Sequence, residues 1–266
     1  MSEKIPIFLS GEYRSNALCR TQPYAFVLPE GAESEGERRY PLLVMLHGRT
    51  GNHRDWADRS RLAKHLAKFN LVAVLPDGGE NGWYSNAVEN GERYEDDLIQ
   101  DFLPHLQKTL PILSPGRHWG ISGLSMGGYG AVKIALKHWE LFSVGASHSG
   151  ALNAAARPAT HSVFGDPEAD RAMRKENNVF WLAEQALCRL PVERPRLHID
   201  CGLSDPLLGE SRMFSDHLNF LGYSHDYREL PGHHSWPYWD RAFRTLLPTL
   251  AQELGAVEVA TPHTRL

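Results

Sequence analysis

Ser125 stands in Gly123-Leu124-Ser125-Met126-Gly127, a G-x-S-x-G pattern. Three fixed positions are a weak signal alone, but the surroundings are specific. Residues 118–122 read as a short strand, and an Ala- and Gly-rich stretch from Gly127 to His138 reads as a helix. A serine on such a strand–turn–helix bend projects at the carboxyl end of a sheet, beside the positive end of a helix. The bend is tight, so the positions two before and two after the serine must be small, and both are glycine. The chemistry this suits is nucleophilic attack on a carbonyl carbon. A plain N-cap serine would need the same strand and helix, but none of the partners that follow.

A hydroxyl is a poor nucleophile until a base takes its proton. On a turn of this kind the acid and then the histidine come later in the chain. Asp205 follows His198-Ile199-Asp200-Cys201-Gly202, where a strand breaks at glycine. Asp200 is the rival acid, but it lies inside that strand, where a side chain points into the layers of the fold. Asp205 lies past the strand end, where loops carry reactive groups, and is the expected acid. His233 and His234 follow Pro231-Gly232, where the last strand stops, and the spacing leaves both open as the base. Attack also creates an oxyanion, for which two backbone N–H groups are the usual stabilisers. The expected donors are Met126, next after the serine, and Arg49, in the loop His47-Gly48-Arg49-Thr50-Gly51 that follows Leu46.

The elements that must position these residues alternate along the chain. Strands are expected at 25–28, 42–46, 71–75, 118–122, 144–147, 197–200 and 225–230. Helices are expected at 55–69, 94–110, 127–138, 210–221 and 236–254. Leu42 to Leu46 and Leu71 to Leu75 are apolar throughout, as strands buried on both faces are. This alternation predicts an α/β fold, a mainly parallel sheet with helices on both faces. Residues 151–195 are polar, contain Pro158, Pro167, Pro191 and Pro195, and lack a strand. They are expected to form a small insertion over the active site, a partial lid. No linker or repeat divides the chain, so residues 1–266 are expected to form a single domain, with 255–266 as a loose tail.

Composition excludes several classes. The 266 residues are 42% hydrophobic and 23% charged, with a formal net charge of −4. Nothing there favours nucleic acid or an anionic membrane. The 14 histidines are scattered, with no HExxH or CxxC spacing, so no metal site is expected. Cys19, Cys188 and Cys201 are odd in number and far apart, which does not read as a disulfide framework. Met1 to Pro6 shows no leader core, and no long apolar run spans a membrane. The expected location is cytoplasmic.

Jointly, several segments resemble the esterase D family of α/β-hydrolases, which includes tributyrin-type esterases, S-formylglutathione hydrolases, feruloyl and acetyl-xylan esterases, and mycolyltransferases. The resemblance runs from about Ala25 to Leu247. It rests on Leu46-His47-Gly48, Gly82-Trp83-Tyr84, Tyr94-Glu95, the block Gly123 to Ala131, Cys201-Gly202 with Asp205, and Pro231-Gly232-His233-His234-Ser235-Trp236. It implies an α/β-hydrolase fold and hydrolysis of carboxylic esters through an acyl-enzyme, without cofactor. In tributyrin-esterase-like members the last loop reads Pro-Gly, a variable residue, the catalytic histidine, another residue and Trp, which implies His234 as base. The same members carry a Trp-Tyr pair near the acyl site, which implies Trp83 and Tyr84 as substrate contacts, with His47 beside them.

The chain departs from S-formylglutathione hydrolases at two places. Gly51 stands where they have a cysteine, and Leu124 where their nucleophile block usually has histidine. Both departures favour a short-acyl esterase acting on a small-molecule ester. Rival readings are a thioesterase of the S-formylglutathione hydrolase type, a transacylase, or a deacetylase for a sugar or antibiotic ester. A rival of another class is a non-catalytic ligand-binding homologue, since a fold alone does not prove activity. A homo-oligomer stays open as a further partner.

Overall fold

The computed structural model describes residues 7–32 and 38–259. The segment Met1 to Pro6, expected to carry no leader, lies outside the described residues, as does 260–266 of the expected tail. The described chain is built on one eight-stranded sheet. Its strands are β1 (Leu9–Ser15), β2 (Arg20–Val27), β3 (Leu42–Leu46), β4 (Val72–Pro76), β5 (Gly116–Leu124), β6 (Phe142–His148), β7 (Arg196–Gly202) and β8 (His225–Leu230). The spatial order is β1-β2-β4-β3-β5-β6-β7-β8. β1 and β2 run antiparallel to their neighbours, and the remaining pairs are parallel. The carboxyl ends of β3, β5, β7 and β8 therefore open on one edge, where ligands bind in open α/β sheets.

The apolar strands are apolar because both faces are covered. Leu42, Val44 and Leu46 join one core with Phe102, Tyr129 and Phe164. Leu43 and Met45 point the other way, into a second core with Trp56, Phe243 and Leu247. Successive strand side chains alternate between faces, so burial on both sides demands an unbroken apolar run.

The helices are α1 (Asp55–Arg59), α2 (Leu62–Leu66), α3 (Tyr94–Asp96), α4 (Leu103–Thr109), α5 (Met126–Lys137), α6 (His161–Phe164), α7 (Arg171–Glu176), α8 (Val179–Ala186), α9 (Leu208–Phe220) and α10 (Trp236–Leu254). The single helix expected at 55–69 is two helices. Ser60 Oγ donates to the Trp56 carbonyl at 2.5 Å and accepts the Leu62 N–H at 3.1 Å, while Asp240 of α10 takes the Arg61 N–H at 2.8 Å. These bonds satisfy groups that a continuous helix would use internally, so the helix ends and restarts. The helix expected at 94–110 holds a π-helical turn, Asp97–Phe102, between α3 and α4.

One further expectation is corrected. Residues 255–259 are not a loose tail: Val259 donates to the Lys68 carbonyl, Asn70 donates to that of Val257, and Phe69 and Glu258 form an antiparallel bridge. Residues 151–195 form strandless helical turns; Ala151, at the start of the segment, donates to the Ser125 carbonyl, and the residues that line the Ser125 cleft lie outside this segment. The segment is tied to its flanks. Tyr129 of α5 donates to the Asn177 carbonyl at 2.7 Å, and Arg157 pairs with Glu210 of α9.

Candidate active site

The turn that carries Ser125 is set by glycine. A side chain on Gly127 would put its Cβ 2.5 Å from the Leu46 carbonyl oxygen, and one on Gly123 would collide with the backbone of Gly127. Only glycine lets α5 approach the ends of β3 and β5 this closely. Ser125 itself has φ 54° and ψ −115°, a costly conformation for a residue with a side chain. Its N–H donates to the His148 carbonyl at 3.0 Å, and its carbonyl accepts the Ala151 N–H at 3.1 Å, so the neighbouring strand holds the bend. Ser125 occupies the N-cap position of α5, yet its hydroxyl makes no capping bond.

That hydroxyl meets His234 instead. Ser125 Oγ lies 3.0 Å from His234 Nε2, and His234 Nδ1 lies 2.9 Å and 3.1 Å from the two carboxylate oxygens of Asp205. An ionised carboxylate only accepts, so Nδ1 carries the proton and Nε2 is left to accept from the serine. The Asp205 side chain is fully buried, while that of His234 is 28% exposed. Burial works against ionisation of Asp205, but the histidine and the Leu207 N–H, at 2.8 Å, hold its pKa below the ordinary carboxylate value. Trp239 packs edge-on against the imidazole, ring centroids 4.9 Å apart. His233 is exposed.

Asp200, the rival acid, is engaged elsewhere. Its oxygens bond His148 Nδ1 at 2.6 Å and accept from Tyr238 Oη at 2.8 Å. His148 Nε2 in turn lies 3.3 Å from Ser122 Oγ. This buried network ties β5, β6, β7 and α10 together directly behind the Ser125 turn. Position alone did not single out His148 or Tyr238.

His47, Trp83 and Tyr84, the expected substrate contacts, sit in the interior of the described chain. All three are buried, with Tyr84 only 1% exposed, and none lines the cleft at Ser125. Trp83 packs against Tyr129 and Phe164, inside the core. Tyr84 Oη donates to the His47 carbonyl at 3.1 Å. His47 shapes the loop above β3. Its Nε2 accepts the Gly78 N–H at 2.9 Å, so Nδ1 is the protonated nitrogen and donates to the Gly48 carbonyl at 2.8 Å. Burial lowers its pKa, which keeps the ring neutral in this donor–acceptor arrangement. The Gly48 carbonyl and the Arg49 N–H share one peptide plane and point in opposite directions. Pulling that carbonyl toward His47 turns the Arg49 N–H away from it. Among the described residues, neither Arg49 N–H nor Met126 N–H donates to a protein acceptor.

The cleft that holds Ser125 and His234 has a volume of about 500 Å³. One wall is the loop from Gly48 to Gly51, and the other is Trp236, Pro237 and Trp239.

A family model described as "Putative esterase" matches residues 15–250. The chain is 28% identical over 216 residues to an acetyl esterase of Caldicellulosiruptor saccharolyticus, covering 75% of this chain and 79% of that one. It is 29% identical over 247 residues to an esterase of Mycobacterium tuberculosis, covering 78% of this chain and 51% of the relative, so it spans about half that protein's length. In structure it is similar to a substrate-bound, fluorophosphonate-binding serine hydrolase of Staphylococcus aureus, with a TM-score of 0.82 at 21% identity. That likeness covers 94% of this chain and 98% of the other, and shows the α/β-hydrolase fold.

Proposed function

The chain belongs to the Putative esterase family and is a carboxylic ester hydrolase, and on that premise we propose that it cleaves short-acyl esters through an acyl-enzyme on Ser125. The observation that carries this reading is the unbroken hydrogen-bond chain from Ser125 Oγ through His234 to Asp205. Ser125 Oγ attacks the ester carbonyl while His234 Nε2 takes its proton. Asp205 holds the imidazole in the tautomer that can accept, and stabilises it once charged. The N–H groups of Arg49 and Met126 stabilise the oxyanion. The tetrahedral intermediate collapses, the carbon–oxygen bond to the alcohol breaks, and His234 gives its proton to the leaving oxygen. Water then repeats the sequence on the acyl-enzyme, releasing the acid and restoring Ser125.

Short acyl groups are favoured by the acetyl esterase among the relatives. A thioesterase of the S-formylglutathione type is disfavoured by Gly51, which stands where the S-formylglutathione hydrolases it resembles carry a cysteine. The test is turnover of 4-nitrophenyl esters from acetate to palmitate. Acetate and butyrate are expected to have the highest kcat/KM, and Ser125→Ala to lower it by about 10⁴-fold or more. A palmitate rate above the butyrate rate at matched solubility contradicts the acyl preference, and near-normal turnover by folded Ser125→Ala contradicts the mechanism.

A further inference from the structure

We infer that the alcohol half of the natural ester carries a negative charge, recognised by Arg59 where it lies over Trp236, with Arg49 in the same cleft lining. The inference rests on the acyl-enzyme reading, because that reading fixes the side on which the alcohol leaves. The leaving oxygen must receive its proton from His234 Nε2, so the alcohol departs along the histidine wall. From His234 that wall runs to Trp239, ring centroids 4.9 Å apart, and on to Trp236, a further 5.4 Å. The Arg59 guanidinium lies over the Trp236 ring, 5.2 Å from its centroid. Arg49, in the loop from Gly48 to Gly51, lines the same cleft.

Among the described residues, neither guanidinium has an ion pair or a side-chain hydrogen bond. The acids near Arg59 are committed elsewhere: Asp58 pairs with Arg54, and Asp240 with Arg61 and His65. Asp55 also lines the cleft, within electrostatic reach of Arg59 but without an ion pair among the described residues. Two arginines against one aspartate leave the lining positive, on a chain whose formal net charge is −4. An exposed arginine is ordinarily just solvated, but stacking on an indole holds this one in a fixed direction. A neutral ester makes no use of such a guanidinium group, whereas a carboxylate or phosphate on the alcohol pairs with it along the tryptophan wall.

The test compares 4-acetoxybenzoate, whose leaving alcohol is anionic, with its neutral methyl ester, each rate divided by the hydroxide hydrolysis rate of the same compound. Low ionic strength is expected to favour the anion by about 10-fold in kcat/KM, and about 0.5 M salt to erase most of that preference. Arg59→Gln is expected to lower the anion-to-neutral ratio about 5-fold or more, with Arg59→Lys between the two. A wild-type ratio near one, or a ratio unmoved by Arg59→Gln, overturns the inference. A charge preference seen with mono-4-nitrophenyl succinate against 4-nitrophenyl butyrate, and not with the benzoate, overturns its assignment to the alcohol. Hydrolysis of 4-nitrophenyl acetate that depends on Ser125 reports the underlying reading separately, so the charge inference can fail while that reading stands.

Discussion

Two adjacent imidazoles on a loop cannot both meet Ser125 and Asp205. His234 bonds both, and His233 is exposed. His234→Ala is therefore expected to remove most of the rate, and His233→Ala to retain at least about a tenth of it, a barrier change of about 1.4 kcal/mol or less. Matching melting curves and kcat/KM for the two variants decide this, and the reverse pattern would move the base by one residue. Ser125 and Asp205 were legible in the sequence because each follows a strand end, which a periodicity reading locates. His233 and His234 were not separable by spacing, since both fit the same loop. The burial of Trp83, Tyr84 and His47 was not legible, because an aromatic beside a motif looks alike whether it faces the cleft or supports it. What separates the cases is burial, and the hydrogen bond from His47 to Gly48 that orients the loop carrying Arg49.

The elements place these residues by close approach. α5 sits against β3 at Gly127, where a methyl group would stand 2.5 Å from the Leu46 oxygen and 2.6 Å from that of His47. Gly127→Ala must push α5 away from the loop that carries Gly48 and Arg49. It is expected to cost about 1–3 kcal/mol, and to lower kcat as well. At about 2–4 °C per kcal/mol for a chain of this size, differential scanning calorimetry resolves the loss, and an unchanged Tm with full activity contradicts the packing argument. The apolar strands were legible because burial on both faces leaves an unbroken signature. β1 was not, because only Tyr13 and Ser15 of its seven residues are buried and its pattern reads as polar. The break between α1 and α2 was hidden because Ser60 and Arg61 fit a helical pattern, while the carboxylate that ends it, Asp240, lies far along the chain.

At the scale of the whole molecule, buried charge joins the layers. Glu95 sits beneath the nucleophile helix, bonded by Lys133 at 2.7 Å, with Lys137 and His138 on its other oxygen. Lys133 also reaches the Tyr84 carbonyl and Ser85 Oγ, so one ammonium links α5, the 83–85 turn and α3. Burial opposes ionisation of Glu95, but these cations hold its pKa far below the ordinary value. Asp205 and Asp240 are lowered as well, while Asp55 and Asp97 are raised by burial and act in the opposite sense. A depressed folded pKa means that the unfolded chain binds more protons as the pH falls. The stability from Glu95 is therefore complete above its unfolded value and lost below it. The urea midpoint is expected to stay level from pH 7 to about pH 5.5 and to fall from about pH 5 downward, with a shallower fall in Glu95→Gln. Equal slopes in the two proteins contradict this account. The mainly parallel sheet was legible from strand and helix alternation. The seat of 151–195 was not, because its contacts with α5 and α9 follow no period along the chain.

The central claim is that Ser125 is a nucleophile activated by His234, and a fluorophosphonate probe tests it directly. Such probes react with an activated serine and not with an ordinary hydroxyl. Intact mass and peptide mapping are expected to show one adduct per chain, on Ser125, and almost none in folded His234→Ala. An adduct on another residue, or equal labelling of Ser125 when His234 is absent, would contradict the account.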